Sequence, residues 1–420
     1  MVHALAIGPP GGLQGPQGVA SGPALCYHLP MHDAPPRRLP PRLLPLCARS
    51  PLWRLVAGTL FSAALFGGAQ GCAAHLPPQP VGADDWIRHQ LCDEVRGPQG
   101  EALPRCLEVI ELGAKPTYRR ATALLIPGMF HNGAVFDLMP ERGISFARFL
   151  VSQGVEVYLL HVRGIGGSEL PPGTGIDGLV IEDLPAAIDF VAAQAGEPIL
   201  ALGHSQGAMT LQAALSGLRW CEGGVPCFDG EVARARQAQV RAVGLFTGNV
   251  ALTTPSRRLH ALAGVAQAIE GPLERAGKVP GRRLFLTGYD LFGEGGFDIL
   301  FTPGRHPPEV TRALLARSVE HTLGSIGARF AQGIAEGGVQ SGGQRWADHL
   351  DKLLVPTLQV TFGGDLLAPP ETTWRDDFRH IGAEKKRFKR VAGQSHEDFL
   401  LSPEGHAQHW MTVQELIDGF

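Results

Sequence analysis

Apolar and polar positions change their pattern several times along the chain. Residues 1–50 show neither a two-residue nor a 3.6-residue apolar period and are crowded with Pro and Gly. Such a segment buries too little surface to offset its chain entropy, so it is expected to be disordered or to be a mis-called start, with Met31 as the alternative. From Met31 the order is a basic stretch (Arg37, Arg38, Arg42, Arg49, Arg54) and then the apolar run Leu55 to Phe66. That is the order of a secretory signal, and about a dozen apolar residues fall short of the roughly 20 that a membrane span needs. From about Thr117 onward, short β-type runs alternate with helical stretches, which predicts an α/β fold, a mostly parallel sheet flanked by helices. The predicted strands are Ala121 to Ile126, Val155 to Leu160, Pro198 to Gly203, Val240 to Phe246, Pro356 to Thr361 and Arg387 to Val391. Helices are predicted near Val135 to Gln153, Glu182 to Ala195, Gln206 to Leu218 and Pro370 to His380, with a last one from Pro403.

The longest interval without a core strand predicts a helical cap insertion at 250–354, so the core divides into 117–249 and 355–420. Ahead of it come a leader at 1–50, a signal-type segment at 51–72 and an N-terminal extension at 73–116.

Charged residues make up 18% and hydrophobic ones 44%, with a net charge of -3, a globular balance that disfavours a strongly basic nucleic-acid binder. Ala69-Gln70-Gly71-Cys72 resembles the bacterial lipoprotein cleavage box, in which the Cys is lipidated; ordinary signal cleavage after the small-x-small triplet is the alternative. Either outcome exports the protein as a periplasmic or outer-membrane lipoprotein, or as a secreted one. An uncleaved segment 55–66 would instead be an anchor. Beyond Cys26, Cys47 and Cys72 remain Cys92, Cys106, Cys221 and Cys227. Three pairings of these four are possible, and the short spacings fit two local disulfides, Cys92 with Cys106 and Cys221 with Cys227, in an oxidising compartment.

Gly203-His204-Ser205-Gln206-Gly207 fits G-x-S-x-G, and its context adds weight: a buried strand runs into the serine and a helix starts directly after it. A serine hydroxyl attacks only when an imidazole takes its proton, and the imidazole needs a carboxylate to hold its tautomer. Both residue types follow at strand ends. Asp365 comes after Thr357 to Thr361, and His396 after Phe388 to Val391, in the order Ser205, Asp365, His396. Taken singly, Asp365 reads as a turn residue and His396 as a loop histidine; three correctly ordered strand ends favour a catalytic triad. Asp351 precedes its strand, Asn249 cannot ionise, and His380, His406 and His409 fall in helical segments. An oxyanion hole would use the backbone N–H groups of Gln206 and of Met129, after Pro127-Gly128; an ordinary strand-end turn is the alternative.

These residues resemble the α/β-hydrolase superfamily over roughly residues 117–420. Arg163-Gly164-Ile165-Gly166-Gly167-Ser168 looks like its R-G-x-G-x-S loop, and Asp183 to Val191 together with Gly203 to Gly207 is similar to the acid lipases. The superfamily's usual His-Gly pair is Pro127-Gly128 here. The resemblance implies the α/β-hydrolase fold and a serine hydrolase that cleaves carboxylic esters, of lipase or carboxylesterase type, through an acyl-enzyme. The substrate would be a small-molecule acyl ester or lipid of moderate to long chain. An acyltransferase or thioesterase on the same scaffold, or a non-catalytic lipid-binding surface lipoprotein, are the alternatives. Leu259, Leu262, Val265, Ala266 and Ile269 at helical spacing are read as the cap's own core rather than as an acyl groove. No metal or cofactor pattern stands out in the sequence. The basic run Lys385 to Arg390 is read as an edge strand that resists pairing.

Overall fold

The computed structural model describes residues 85–96, 101–171, 175–268, 278–401 and 410–419. The leader, the run Leu55 to Phe66, Cys72, Ile269 and residues 402–409, where the last predicted helix begins, lie outside them. Eight strands make one sheet: β1 (Trp86–Arg96), β2 (Ala102–Leu112), β3 (Ala121–Ile126), β4 (Val155–His161), β5 (Ile199–His204), β6 (Val240–Phe246), β7 (Thr357–Phe362) and β8 (Lys386–Val391). Their spatial order is β1-β2-β4-β3-β5-β6-β7-β8. Pairing is parallel from β4 through to β8 and antiparallel at β1/β2 and β2/β4. The six predicted strands form with ends displaced by at most one residue.

For β3 to β7 this legibility has a physical cause, because a parallel strand covered on both faces is largely apolar, whereas β8 is a basic, partly exposed edge strand. In β3, Leu124 and Ile126 enter the core on one face of the sheet, whereas Ala123 and Leu125 enter the core on the other. The first face is covered by α2 (Leu184–Ala195) and α3 (Gln206–Leu215), the second by α1 (Phe146–Ser152) and the closing segment around Trp410 to Ile417.

The β1/β2 hairpin lies in the N-terminal extension at 73–116 and adds two strands to the six predicted. β1 is rich in polar side chains and largely exposed, so it offers little apolar alternation to read. It is held by backbone pairing with β2 over its whole length, by a disulfide between Cys92 and Cys106, and by ion pairs of Arg88 with Glu108 and of Asp93 with Arg105.

Three predicted helices are shorter than expected. The stretch from Val135 breaks into the turns Gly133–Phe136 and Pro140–Arg142 before α1, because Pro140 lacks an N–H and Gly143 turns left-handed at φ 72°. α3 stops at Leu215, since Gly217 at φ 91° redirects the chain into the short pair Leu218–Trp220 and Pro226–Phe228, which Cys221 and Cys227 bridge. Pro370 to His380 becomes three short turns, Pro370–Thr372, Thr373–Asp377 and Phe378–His380. There the buried Asp377 carboxylate turns away to accept the N–H groups of Val250 (2.6 Å) and Ala251 (3.1 Å).

After α4 (Gly230–Gln237) and β6 come α5 (Arg257–Ala268), α6 (Gly281–Phe292), α7 (Pro308–Ala313) and α8 (Gly324–Glu336). α5 packs on α8, with Leu259 and Ala263 buried and Leu262 and Val265 half-exposed, so the apolar spacing read from sequence is not one buried face. β8 lies at the sheet edge, and its basic side chains find partners: Lys386 binds the carbonyls of Phe378, Arg379 and Ile381, and Lys389 pairs with Glu415.

Candidate active site

A strained turn falls where β5 meets α3. Ser205 has φ 53° and ψ −119°, a region that side chains other than Gly rarely occupy, and its N–H donates to the Phe246 carbonyl at 2.8 Å. The flanking glycines are required by close approach. A Cβ on Gly203 would lie 2.6 Å from the Ala208 backbone, and one on Gly207 would lie 2.2 Å from the Ile126 carbonyl oxygen. The end of β3 therefore presses directly on the start of α3. Gly128 stands against Ser205 in the same way, for a Cβ there would come within 3.1 Å of the serine Cβ. Met129 follows, then Phe130 at φ 70°, its ring 5.0 Å from that of Phe285 on α6. Met129 and Gln206 line one recess, and Met129 also lines the cavity that holds Ser205.

The two other sequence-predicted residues arrive from the ends of β7 and β8. Asp365 accepts the N–H groups of Leu367 (2.8 Å) and Ala368 (3.0 Å) on Oδ1, which orients Oδ2 toward His396 Nδ1 at 2.9 Å. His396 Nε2 is 2.7 Å from Ser205 Oγ. With Nδ1–H donating to the carboxylate, Nε2 is left to accept the serine proton. Asp365 and His396 are each 2% exposed. Burial alone would push the imidazole's pKa down; the charge and hydrogen bond of Asp365, followed by the charge of Glu397, outweigh it and raise the pKa. The His396 loop is pinned from the segment between β6 and β7. Asp398 accepts the Ser395 N–H at 2.8 Å and bonds His306 Nε2 at 2.7 Å, and the Glu397 N–H donates to the Leu300 carbonyl at 2.9 Å.

Beside Ser205 lies a cavity of ≈ 100 Å³ whose apolar wall includes Phe285, Leu300, Phe301, Leu314, Leu315 and Val319. Of its polar lining, Ser205 and His396 were expected from the sequence, but His131 and Glu397 were not. Glu397 Oε1 is 3.4 Å from His131 Nε2, and Glu397 Oε2 is 3.9 Å from His204 Nε2. The only hint was position: Glu397 follows His396, His204 precedes Ser205, and His131 is two residues past Met129. Among the described residues, His204, His396 and Glu397 bring potential metal-binding atoms within 4.8 Å of one another. Both His396 nitrogens are hydrogen-bonded, to Asp365 and Ser205, and His204 Nε2 donates to the His396 carbonyl at 3.2 Å, while His204 Nδ1 and Glu397 Oε2 have no hydrogen-bond partner among the described residues.

A sheet of this order, with a strained serine turn at the end of its fifth strand, defines a fold class. The alpha/beta hydrolase family model matches residues 123–409, and the chain belongs to that family. Among solved structures, a soluble variant of monoglyceride lipase from Saccharomyces cerevisiae in complex with a substrate analog is similar, with TM-score 0.53 and 14% identity over 81% of this chain and 98% of that one. A thermophilic esterase from Thermogutta terrifontis gives TM-score 0.51 and 17% identity over 78% of this chain and 99% of that one. At such identities the likeness is one of fold. No curated protein sequence matches the chain.

Proposed function

We propose that the protein is a serine hydrolase that cleaves carboxylic esters through an acyl-enzyme. The observation that carries this reading is the continuous hydrogen-bonded line from Ser205 Oγ through the His396 ring to Asp365, at 2.7 and 2.9 Å, in a family of hydrolases. Ser205 attacks the ester carbonyl while His396 Nε2 takes its proton; the imidazolium, held by Asp365, then delivers that proton to the leaving alcohol. The oxyanion is received by the N–H groups of Met129 and Gln206, with the N-terminus of α3 adding its positive end. Water, activated by the same imidazole, releases the acid.

In the same reading, residues 250–354 act as a cap, since α6 and the segment around Leu314 wall the cavity beside Ser205. At ≈ 100 Å³ the cavity is well below the roughly 300–1,000 Å³ of pockets that enclose a whole small ligand. A moderate or long acyl chain therefore requires these walls to move outward. The pairings Cys92–Cys106 and Cys221–Cys227 support action in an oxidising compartment, in line with the export expected from the signal-type segment. No described helix is long and apolar enough to cross a membrane. Lipidation of Cys72, or an uncleaved segment 55–66, would attach the protein to one.

The test is a panel of p-nitrophenyl esters of increasing chain length, with Ser205→Ala as control. Wild type should turn over at least one ester, and the variant should fall by about 10³-fold or more while unfolding at the same temperature. Transfer to an added alcohol in preference to water would instead indicate an acyltransferase. Absence of turnover together with no labelling of Ser205 by a fluorophosphonate would favour a lipid-binding role.

A further inference from the structure

The proposed mechanism uses one carboxylate, yet the site contains two. Glu397 is 4% exposed, sits directly after His396 in the chain, and wedges its side chain between the rings of His131 and His204. Its Oε2 is buried with no hydrogen-bond partner among the described residues, an arrangement that side-chain packing alone does not favour. We propose that Glu397 is a positioning residue, a second buried carboxylate that holds positive charge on the His396 ring without bonding to it. This rests on the serine-hydrolase reading above.

The groups that face the His396 ring come from four loops. Asp365 bonds Nδ1 from the end of β7, and Ser205 bonds Nε2 from the end of β5. His204, from that same strand, has its ring centre 5.5 Å away, and His131 approaches Glu397 from the loop after β3. On its own loop stand Glu397 and Asp398, and Asp398 is turned aside to His306. Burial holds the His204 ring neutral, with its pKa pushed down to about 4. Burial by itself would raise the Glu397 carboxyl; the charge of His204 when that ring is protonated, then the charge and hydrogen bond of His131, act the other way and bring it to about 2. A fixed negative charge whose oxygen lies within 4.8 Å of a His396 nitrogen therefore acts in a dry, weakly screened space. When the serine proton reaches Nε2, the ring becomes cationic. Asp365 stabilises that cation by contact and Glu397 stabilises it through space. The same charge sets a limit, because a ring that protonates more readily is lost as a base at a higher pH.

The experiment follows the His396 ring by NMR titration of histidine-labelled protein, the resonance being assigned by its loss in His396→Gln. Wild type is compared with Glu397→Gln, which keeps hydrogen-bonding capacity, and Glu397→Leu, which removes it. Both abolish the charge, so in each variant that circular dichroism shows to be folded the midpoint should move down by about one pH unit. The acid limb of kcat/KM should move with it. An unmoved His396 midpoint in either folded variant overturns the proposal, and so does a shift in one folded variant but not in the other, which would indicate a packing role. The titration does not depend on turnover. Failure of the serine-hydrolase reading would show separately, as wild-type protein whose Ser205 is not labelled by a fluorophosphonate.

Discussion

Gly207 shows how closely the site depends on single atoms. The start of α3 lies so near the end of β3 that a methyl group there would fall 2.2 Å from the Ile126 carbonyl oxygen, backbone that cannot swing aside. Gly207→Ala is therefore expected to destabilise the fold by about 1–3 kcal/mol in urea unfolding and to reduce ester turnover by displacing the Gln206 N–H. At this scale local pattern locates Ser205 directly after the apolar β5 and Asp365 three residues past the buried β7, whereas His396 comes five residues after the basic edge strand β8 and is marked chiefly by chain order. Glu397, His131 and His204 were not legible as a group. Each looks like an ordinary loop or motif residue, and their encounter depends on three loops that converge at one rim of the sheet.

Among the elements, the six core strands were read closely and the helices less so. Strands covered on both faces announce themselves as unbroken apolar runs, whereas helix ends are set by local contests. Gly217 at φ 91° ends α3 earlier than its apolar period suggests. Asp377 shows a longer-range contest. Its carboxylate satisfies the N–H groups of Val250 and Ala251, which begin the long segment between β6 and β7, and in doing so it anchors that segment to the turns after β7. Asp377→Ala would leave two buried N–H groups unpaired. A loss of about 1–3 kcal/mol for each is expected in denaturant titration, with faster amide exchange at Val250 and Ala251 as the local signature. Exchange rates unchanged at both amides would contradict the anchoring role.

Across the whole molecule, the least expected feature is the hairpin that extends the sheet. Cys92 and Cys106 face each other across β1 and β2 and close a loop of 14 residues by sequence separation. Replacing both with Ser should lower stability by about 3 kcal/mol, a difference that reductant should erase in wild type and leave unaltered in the double variant. The sequence by itself determined the parallel core, the strained serine turn and the order in which the serine, acid and histidine follow strand ends, since these follow from local apolar pattern and chain order. Tertiary structure alone decided that a polar, exposed strand would join the sheet, that helices would stop at particular glycines, and that a second carboxylate would stand beside the imidazole. Those outcomes depend on backbone pairing, close approach and charge brought together from distant segments, and none of the three leaves a period in the chain.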